Sequence, residues 1–334
     1  MQFKPFKVEA LRGTKVESRH IVHAVILGRN SRTSEIFGDQ DFPVFPRSSL
    51  KPIQALPLVL TGAADHFQVT EAELALACAS HRGELIHVNP VRAWLNRLGL
   101  NESYLECGTH APSNQDSFVS LIQTQQLPSS IHNNCSGKHT GMLATALHLN
   151  EPTKNYVSFN HPVQQRITHY TEKLCGIKLP PESFGIDGCS IPAPCLPLTK
   201  LAQGFLEFID PSHLSDSESQ ACQRLFSAFV KHPLLTSGTG HYCSDLIAET
   251  KSRVLIKDGA EGVMVAAIPE LKLAMALKAQ DGNSRATELC TSLILERLGL
   301  LSKSSPFLTP KIHNWNQMET GHLSISNRSV GAII

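Results

Sequence analysis

The sequence predicts an α+β fold in which strands from the two ends of the chain form one antiparallel sheet and the helices between them cover it. Three observations support this prediction. The segment VESRHIVHAVIL near the N-terminus carries β-branched residues in partial alternation, short apolar runs separated by turn residues follow Val254, and capped helical patterns fill the chain between these regions. Strands at both ends with helices between them are typical of α+β architecture.

The N-terminal segment is expected to form extended strands. About the first forty residues read as a strand meander, in which Gly28 and Gly38 mark the turns. A helix is expected to begin near Ser48, since Pro52 is tolerated only in a first helical turn and an apolar run follows it.

Two helices with clear end signals are expected next. Thr70 and Glu73 have the spacing of a capping box and open VTEAELALACAS. In NPVRAWLNRLGL, Asn89 reads as the N-cap, Pro90 as the first helical residue and Gly99 as the stop signal.

The rest of the chain is predicted to be helical first and then extended. Helices are expected in HTGMLATALHL and in HPVQQRITHYTEKLCG, which starts at Pro162 and stops at Gly176. The runs RVLIK, GVMVAAI and LKLAMALKA predict an antiparallel meander, and a last helix is expected over residues 284–298. No linker divides the chain, so residues 1–334 are expected to form a single domain, with two lobes as the alternative.

Composition excludes several classes of protein. The chain has 334 residues, of which 41% are hydrophobic and 18% charged, so it is long and apolar enough for a substantial core. A net charge of +1 without a dense Lys/Arg block argues against nucleic acid or an anionic membrane as a partner.

The N-terminus and the cysteines predict a cytoplasmic protein. MQFKPFKVEALRG lacks the continuous apolar segment of a signal peptide, and no segment has the roughly 18 uninterrupted apolar residues of a membrane span. The nine cysteines are scattered from Cys78 to Cys290, which indicates reduced thiols and not a disulfide framework.

Ser48-x-x-Lys51 is the strongest catalytic candidate. At a spacing of three on a helix, the lysine amine reaches the serine oxygen and could remove its proton. An ordinary lysine has a pKa of about 10.4, so a base near neutrality needs burial or a second cation, worth roughly 4 kcal/mol. The alternative is a helix-capping Ser48 followed by a surface Lys51.

A second group of residues suggests a metal site. NNCSGKHTGM and DGCSIPAPC each place a cysteine in a tight turn, and zinc accepts thiolate and imidazole ligands. The residue types alone nominate Cys135, His139 and Cys189, with Asp187 as a fourth candidate. The alternative is that these are small buried residues in packed turns.

Six separated motifs agree in order and spacing with one known family. FPRSSLKPIQALPL, CASHRGE with HVNPVRAWLNRLGL, NNCSGKHTGML, HPVQ, FGIDGCSIPAP and KDGAEGV resemble the asparaginases typified by the inducible, thermolabile enzymes of Rhizobium. The resemblance runs from about residue 8 to residue 300. It implies a fold like that of serine β-lactamases, penicillin-binding proteins and glutaminases, a homodimer, and hydrolysis of L-asparagine to L-aspartate and ammonia.

The resemblance also implies catalytic roles. Ser48 would be the nucleophile and Lys51 its proton acceptor, while Ser80 and Lys257 would form a second pair beside them. Lys257 is chosen over Lys278 because it precedes GAEG. The two lysines would depress each other's pKa, which supplies the second cation that the Ser48-x-x-Lys51 motif requires.

For the metal, the resemblance implies zinc bound by Cys135, Lys138, Cys189 and a water, and not by His139. Asp187 would orient that water or the substrate amine.

Substrate contacts are expected from residues beside these motifs. The candidates are Arg47, Asn133, Asn134, His139 and Asp187.

Three alternatives remain open at this point. The fold is also compatible with a glutaminase or a β-lactam-type hydrolase, since fold does not fix substrate. A scaffold with a purely structural zinc and no catalysis is the third.

Overall fold

The sheet is built from both ends of the chain, as predicted. The computed structural model describes residues 2–29 and 34–326, and in this part nine strands form one sheet. Neighbouring strands of its main path are antiparallel, and the path runs in the order Lys311–His313, Glu319–Ile325, Phe6–Arg12, Lys15–Gly28, Leu273–Ala279, Val263–Ile268 and Leu255–Gly259, while Gln2–Phe3 and Glu35–Phe37 pair outside it. The α+β prediction is therefore confirmed.

The strands have the following bounds: β1 (Gln2–Phe3), β2 (Phe6–Arg12), β3 (Lys15–Gly28), β4 (Glu35–Phe37), β5 (Pro43–Val44), β6 (Phe184–Ile186), β7 (Pro192–Pro194), β8 (Leu196–Pro197), β9 (Leu255–Gly259), β10 (Val263–Ile268), β11 (Leu273–Ala279), β12 (Lys311–His313) and β13 (Glu319–Ile325). The helices are α1 (Lys51–Gln54), α2 (Leu56–Leu60), α3 (Ala63–His66), α4 (Glu71–Ala77), α5 (Leu85–Arg97), α6 (Gln115–Gln123), α7 (Ser136–His148), α8 (Pro162–Cys175), α9 (Leu198–Ile209), α10 (Asp216–Lys231), α11 (Pro233–Ser237), α12 (Tyr242–Glu249) and α13 (Ser284–Arg297).

The N-terminal strand β3 pairs with β11, which joins the two ends of the chain. The register runs from Leu273 opposite Gly28 to Ala279 opposite Val22. All six residues of β10 are buried, so both faces of the sheet are covered at this position. Helices α9 and α13 pack against β3, β10 and β11 and supply this cover.

The capping signals place most helix ends correctly. The Thr70 hydroxyl accepts from the Glu73 amide at 3.2 Å, and the Glu73 carboxylate accepts from the Thr70 amide at 2.9 Å. Gly176 ends α8 in the left-handed conformation with φ 59°. These two predictions are confirmed.

One predicted helix start is wrong. Helix α5 begins at Leu85, five residues before Pro90, so Pro90 lies inside the helix and Asn89 is not its N-cap. The Glu84 amide donates to His87 Nδ1 at 3.2 Å, and this reciprocal cap starts the helix. The missing N–H of Pro90 then costs one backbone bond.

The last strands were not predicted. Residues after Pro306 carry no recognised motif, yet β13 pairs with β2 at Leu323 opposite Ala10. In the described residues, no helix combines the length and apolar character needed to span a membrane.

Candidate active site

Ser48 lies in a 3₁₀ turn, Arg47–Leu50, that leads directly into α1. Arg47 has a φ of +51°, a left-handed conformation that is uncommon for a residue with a side chain. Ser48 itself is half-buried, and within the described part of the chain its hydroxyl has no hydrogen-bond partner. The turn therefore presents a free hydroxyl three residues before Lys51. The predicted bond between Ser48 and the Lys51 amine is not formed, because that amine bonds to Ser80.

Lys51 is fully buried and its amine points at Ser80. Its Nζ lies 2.9 Å from Ser80 Oγ, 2.5 Å from the Ala79 carbonyl oxygen and 3.5 Å from that of Asn134. Lys51 is thus a buried residue of the site, and the alternative of a surface lysine is wrong.

The surroundings of Lys51 favour its neutral form. Burial is the largest cause and lowers the pKa of Lys51, the electrostatic effect of Cys135 raises it, and the charges of Lys138 and Lys257 lower it further. The nearby positive charge that the sequence analysis expects is therefore present in Lys138 and Lys257. A neutral amine beside a serine hydroxyl has the chemistry of a general base.

The second predicted pair is arranged differently. Lys257 in β9 is fully buried, but its amine contacts Asp258 Oδ1 at 2.5 Å and the Asp258 carbonyl oxygen at 2.9 Å, and not Ser80. Ser80 bonds to Lys51 instead. Strand β9, which carries Lys257, packs against the Ser48 turn, whereas the Lys278 amine bonds to the Glu261 carbonyl oxygen.

The two cysteine turns lie next to each other. Three residues of these turns are buried, with 3% of the surface exposed in each of Cys135, Lys138 and Cys189. Lys138 Nζ lies 3.2 Å from Cys189 Sγ. A hydrogen bond from the Cys135 thiol, helped by the Lys138 charge, lowers the pKa of Cys189 to about 5 against the effect of burial. The same bond, together with burial, raises the pKa of Cys135 to about 12.

This donor set fits a zinc ion. Two sulfurs and one amine, all buried, lie on two neighbouring segments of the chain, and zinc binds thiolates and an amine once they have lost their protons. Cys135, Lys138 and Cys189 would hold the ion and leave a fourth position for water or substrate.

Arg47 and Asp187 form an ion pair beside this site. Arg47 Nε lies 2.6 Å from Asp187 Oδ1, and both side chains are partly exposed. Burial raises the pKa of Asp187, but the Lys138 charge and the Arg47 hydrogen bond outweigh it, so the pKa is lowered. The pair offers one positive and one negative group, both partly exposed.

The Asn133 side chain, a predicted substrate contact, bonds to the protein backbone. Its amide donates to the Cys107 and Gly108 carbonyl oxygens at 2.8 and 3.1 Å, and its Oδ1 accepts from the Cys135 amide at 2.9 Å. These bonds use the buried side chain to shape the Cys135 turn. Asn134, which is half-buried, accepts from the Cys135 thiol at 3.1 Å.

His139 is buried behind the metal candidates. Its Nδ1 accepts from the Tyr156 hydroxyl at 2.8 Å, and that hydroxyl accepts from the Glu106 amide. Burial lowers the pKa of His139 to about 3, so the ring is neutral at pH 7. Its Nε2 has no partner among the described residues.

Sequence reasoning missed two residues of the site, the buried His81 and the partly exposed Asp258. His81 follows Ser80, and its Nε2 lies 2.8 Å from Ser136 Oγ. Asp258 follows Lys257 and contacts its amine. Their positions beside Ser80 and Lys257 were the only signal in the sequence.

Gly259 allows β9 to approach the Ser48 turn. A Cβ at this position would lie 2.2 Å from the Pro46 carbonyl oxygen, so Gly259→Ala must displace the turn. We expect this variant to lose about 1–3 kcal/mol in the free energy of unfolding and to lose catalytic activity.

Thermal unfolding and activity, measured together, check this expectation. Gly185→Ala is the control, since its Cβ would meet Phe45 at an ordinary 3.5 Å. Equal behaviour of the two variants would contradict the role of Gly259.

The sequence matches one known protein family over most of its length. The family model described as L-asparaginase II matches residues 8–325. No curated protein matches the sequence significantly.

Solved structures give more distant matches. Mglu in its tris and glutamate form is 13% identical with a TM-score of 0.47, covering 85% of this chain and 60% of its own. Mglu in its native form is 14% identical with a TM-score of 0.48, covering 85% and 67%. A class C β-lactamase is 10% identical with a TM-score of 0.37, covering 80% and 88%. This chain thus spans about 60% of the Mglu chain in its tris and glutamate form.

Proposed function

The chain belongs to the L-asparaginase II family, which confirms the resemblance of its motifs, and we propose that it hydrolyses L-asparagine to L-aspartate and ammonia. The family makes it an amidohydrolase. One observation carries the mechanism: the buried amine of Lys51 lies 2.9 Å from Ser80 Oγ and directly follows the turn that presents Ser48.

In the proposed reaction, Ser48 Oγ attacks the carbon of the side-chain amide. Neutral Lys51 accepts the serine proton, either directly or through the Ser80 hydroxyl. The same relay returns a proton to the departing ammonia, which leaves a β-aspartyl ester on Ser48. A water molecule then attacks this ester, with Lys51 as the base, and releases L-aspartate.

The Arg47–Asp187 pair supports an amino-acid substrate. A free amino acid carries one carboxylate and one ammonium group, and the pair offers a guanidinium and a carboxylate 2.6 Å apart. We propose that Arg47 binds the α-carboxylate and Asp187 the α-ammonium group. Asn134 and His139 Nε2 remain proposed contacts for the substrate or its water.

We propose zinc as the resident metal, held by Cys135, Lys138 and Cys189. When bound, it would supply a fixed positive charge and an open coordination position next to Asp187. The chain's own residues carry the acyl transfer, so zinc is expected to act mainly on substrate affinity.

Replacing Cys189 by Ala tests this role. We expect the bound zinc to fall from one ion per chain to nearly none, and KM for asparagine to rise about tenfold with a smaller change in kcat. Metal analysis of the purified protein and steady-state kinetics measure both quantities. Cys195→Ala is the matched control, since this nearby cysteine lies outside the site. Full zinc content in Cys189→Ala would contradict the ligand assignment.

Ammonia release from asparagine and glutamine tests the proposed substrate. We expect asparagine to be preferred in kcat/KM. A preference for glutamine would overturn the substrate assignment in favour of a glutaminase but leave the serine mechanism in place. No release from either amide, together with unfolding on zinc removal, would favour the non-catalytic scaffold.

The resemblance also leads us to propose a homodimer that works in the cytoplasm. Free cysteines at all nine positions support a reducing compartment.

A further inference from the structure

Lys257 has a dedicated counter-ion that the reaction outlined above does not use. Its side chain is fully buried, and its amine contacts only Asp258 in the described part of the chain, through Oδ1 at 2.5 Å and the carbonyl oxygen at 2.9 Å. A buried ammonium is stable only when a nearby charge compensates it. Asp258 provides that charge, and the Lys257 charge in turn helps to lower the pKa of Asp258.

The other neighbours of Asp258 come from the start of α12. His241 Nε2 lies 4.0 Å from Asp258 Oδ2, and Cys243 Sγ lies 3.8 Å from Oδ1. These three side chains bring possible metal ligands within 4.8 Å of one another. However, the amine of Lys257 already occupies Oδ1, and its positive charge opposes a cation at this position. The cluster is therefore better suited to holding a proton than a metal.

Lys51 and Lys257 differ in what surrounds their amines. Lys51 faces the Ala79 and Asn134 carbonyl oxygens and Ser80 Oγ, all of which are neutral acceptors. Lys257 faces a carboxylate. Strand β9, which carries Lys257, packs against the Ser48 turn that leads into Lys51, and the Lys257 charge is one of the causes that lower the pKa of Lys51 after burial.

Other charged and titratable groups act on the pair from several elements. On Lys51 these are Cys135 and Lys138 at the start of α7 and Cys189 in the second cysteine turn. His241, Cys243 and Asp245 face it from the start of α12, and Arg82 acts on His241 from the loop after Ser80. Glu288 faces it from α13. None of these groups bonds directly to the Lys257 amine in the described part of the chain, whereas Asp258 does.

We propose that Asp258 is a positioning residue that holds Lys257 as the cation of the lysine pair, so that Lys51 remains the neutral base. The inference rests on the proposed function, because it assigns different tasks to the two lysines of that site. If Asp258 loses its charge, Lys257 loses its counter-ion, and protonation of Lys51 is expected to compete, because the Ala79 and Asn134 carbonyl oxygens can accept hydrogen bonds from a charged Lys51 amine.

The pH dependence of kcat/KM tests this proposal. In Asp258→Asn we expect the acidic limb to move up by about one pH unit and kcat/KM at pH 7 to fall about tenfold, with little change in KM. Asp258→Glu should restore the wild-type limb. Asp245→Asn is the matched control, since this exposed carboxylate lies near His241 but does not contact Lys257, and its profile should match the wild type. An unchanged limb in a folded Asp258→Asn protein would overturn the proposal.

Lysine side-chain ¹⁵N NMR tests the same proposal without turnover. The Nζ signals of Lys51 and Lys257, assigned with Lys51→Met and Lys257→Gln, should show a neutral Lys51 and a charged Lys257 at pH 7. In Asp258→Asn, Lys51 should become the charged amine and Lys257 the neutral one. A neutral Lys257 in the wild type would overturn the proposal. If Asp258→Asn does not fold, Lys257→Gln must move the acidic limb in the same direction, because it leaves the Asp258 charge next to Lys51.

The two proposals fail in different ways. An enzyme that releases no ammonia from either amide contradicts the proposed function, while the NMR result still decides the role of Asp258. An active enzyme with an unchanged acidic limb in Asp258→Asn contradicts only the role of Asp258.

Discussion

Replacing Ser48 by Ala is expected to lower kcat/KM for asparagine by about 10⁴-fold or more, because it removes the oxygen that forms the acyl-enzyme. The loss should leave the fold unchanged. Ser48 is half-buried and its hydroxyl has no partner in the described part of the chain, so stability should change by less than about 0.5 kcal/mol. Zinc content should stay the same.

Ser49→Ala is the matched control for this variant. Ser49 is the next residue in the same turn, but it is fully buried and its hydroxyl donates to the Pro46 carbonyl oxygen at 2.8 Å. We expect this control to lose about 1 kcal/mol of stability and to keep most of its activity. Ammonia release and thermal unfolding measure both variants. Wild-type turnover in Ser48→Ala would remove Ser48 from the mechanism.

Replacing Lys51 by Met is expected to give the second-largest loss, about 10³- to 10⁴-fold in kcat, because it removes the general base. Met has a similar length and fills the same space. Burial of the Lys51 amine destabilises the folded wild type, and Lys51→Met lacks this destabilisation. The free energy of unfolding of Lys51→Met at pH 7 should therefore equal that of the wild type or exceed it by up to about 2 kcal/mol.

The stability of the two proteins should depend differently on pH. The pKa of Lys51 is lowered in the folded state, mainly by burial. Between this lowered value and the unfolded value of about 10.4, the unfolded chain binds one more proton, so wild-type stability rises with pH through that window. Lys51→Met lacks this rise, and its advantage should disappear towards the upper end. Denaturant unfolding at several pH values measures the difference, and parallel pH profiles would show that Lys51 is not perturbed.

Local sequence signals predicted those features that depend on a few neighbouring residues. Thr70 and Glu73 form their capping box with each other, and Gly176 stops α8 through its own backbone conformation. The close sequence positions of Ser48 and Lys51 likewise place both at one turn. Such features require no knowledge of the rest of the fold.

Features that depend on tertiary contacts were not predicted. Helix α5 runs through Pro90 because Glu84 and His87 cap it earlier, and β13 forms because β2 offers it a free edge. The hydrogen bond between the Lys51 amine and the Ser80 hydroxyl also depends on the packing of separate segments. The same holds for the link between Asp258 and the lysine pair, because its effect requires Lys51 to lie nearby.

Residue chemistry and the resemblance to known asparaginases nominate different ligands for the proposed zinc. Zinc chemistry nominated His139, whereas the family motif nominated Lys138. In the structure, the Lys138 amine lies 3.2 Å from Cys189 Sγ, while His139 bonds to Tyr156 on the far side of the turn from solvent. The packing is therefore consistent with the family's choice of ligand.

Mapping the acyl-enzyme tests the central claim most directly. The enzyme is mixed with asparagine, quenched with acid during turnover, digested, and its peptides are sequenced by mass spectrometry. The account predicts a β-aspartyl ester on the peptide that contains Ser48 in the wild type, the same ester at a lower rate in Ser80→Ala, and none in Ser48→Ala. An ester on Ser80 in the wild type, or continued turnover by Ser48→Ala without any ester, would contradict it.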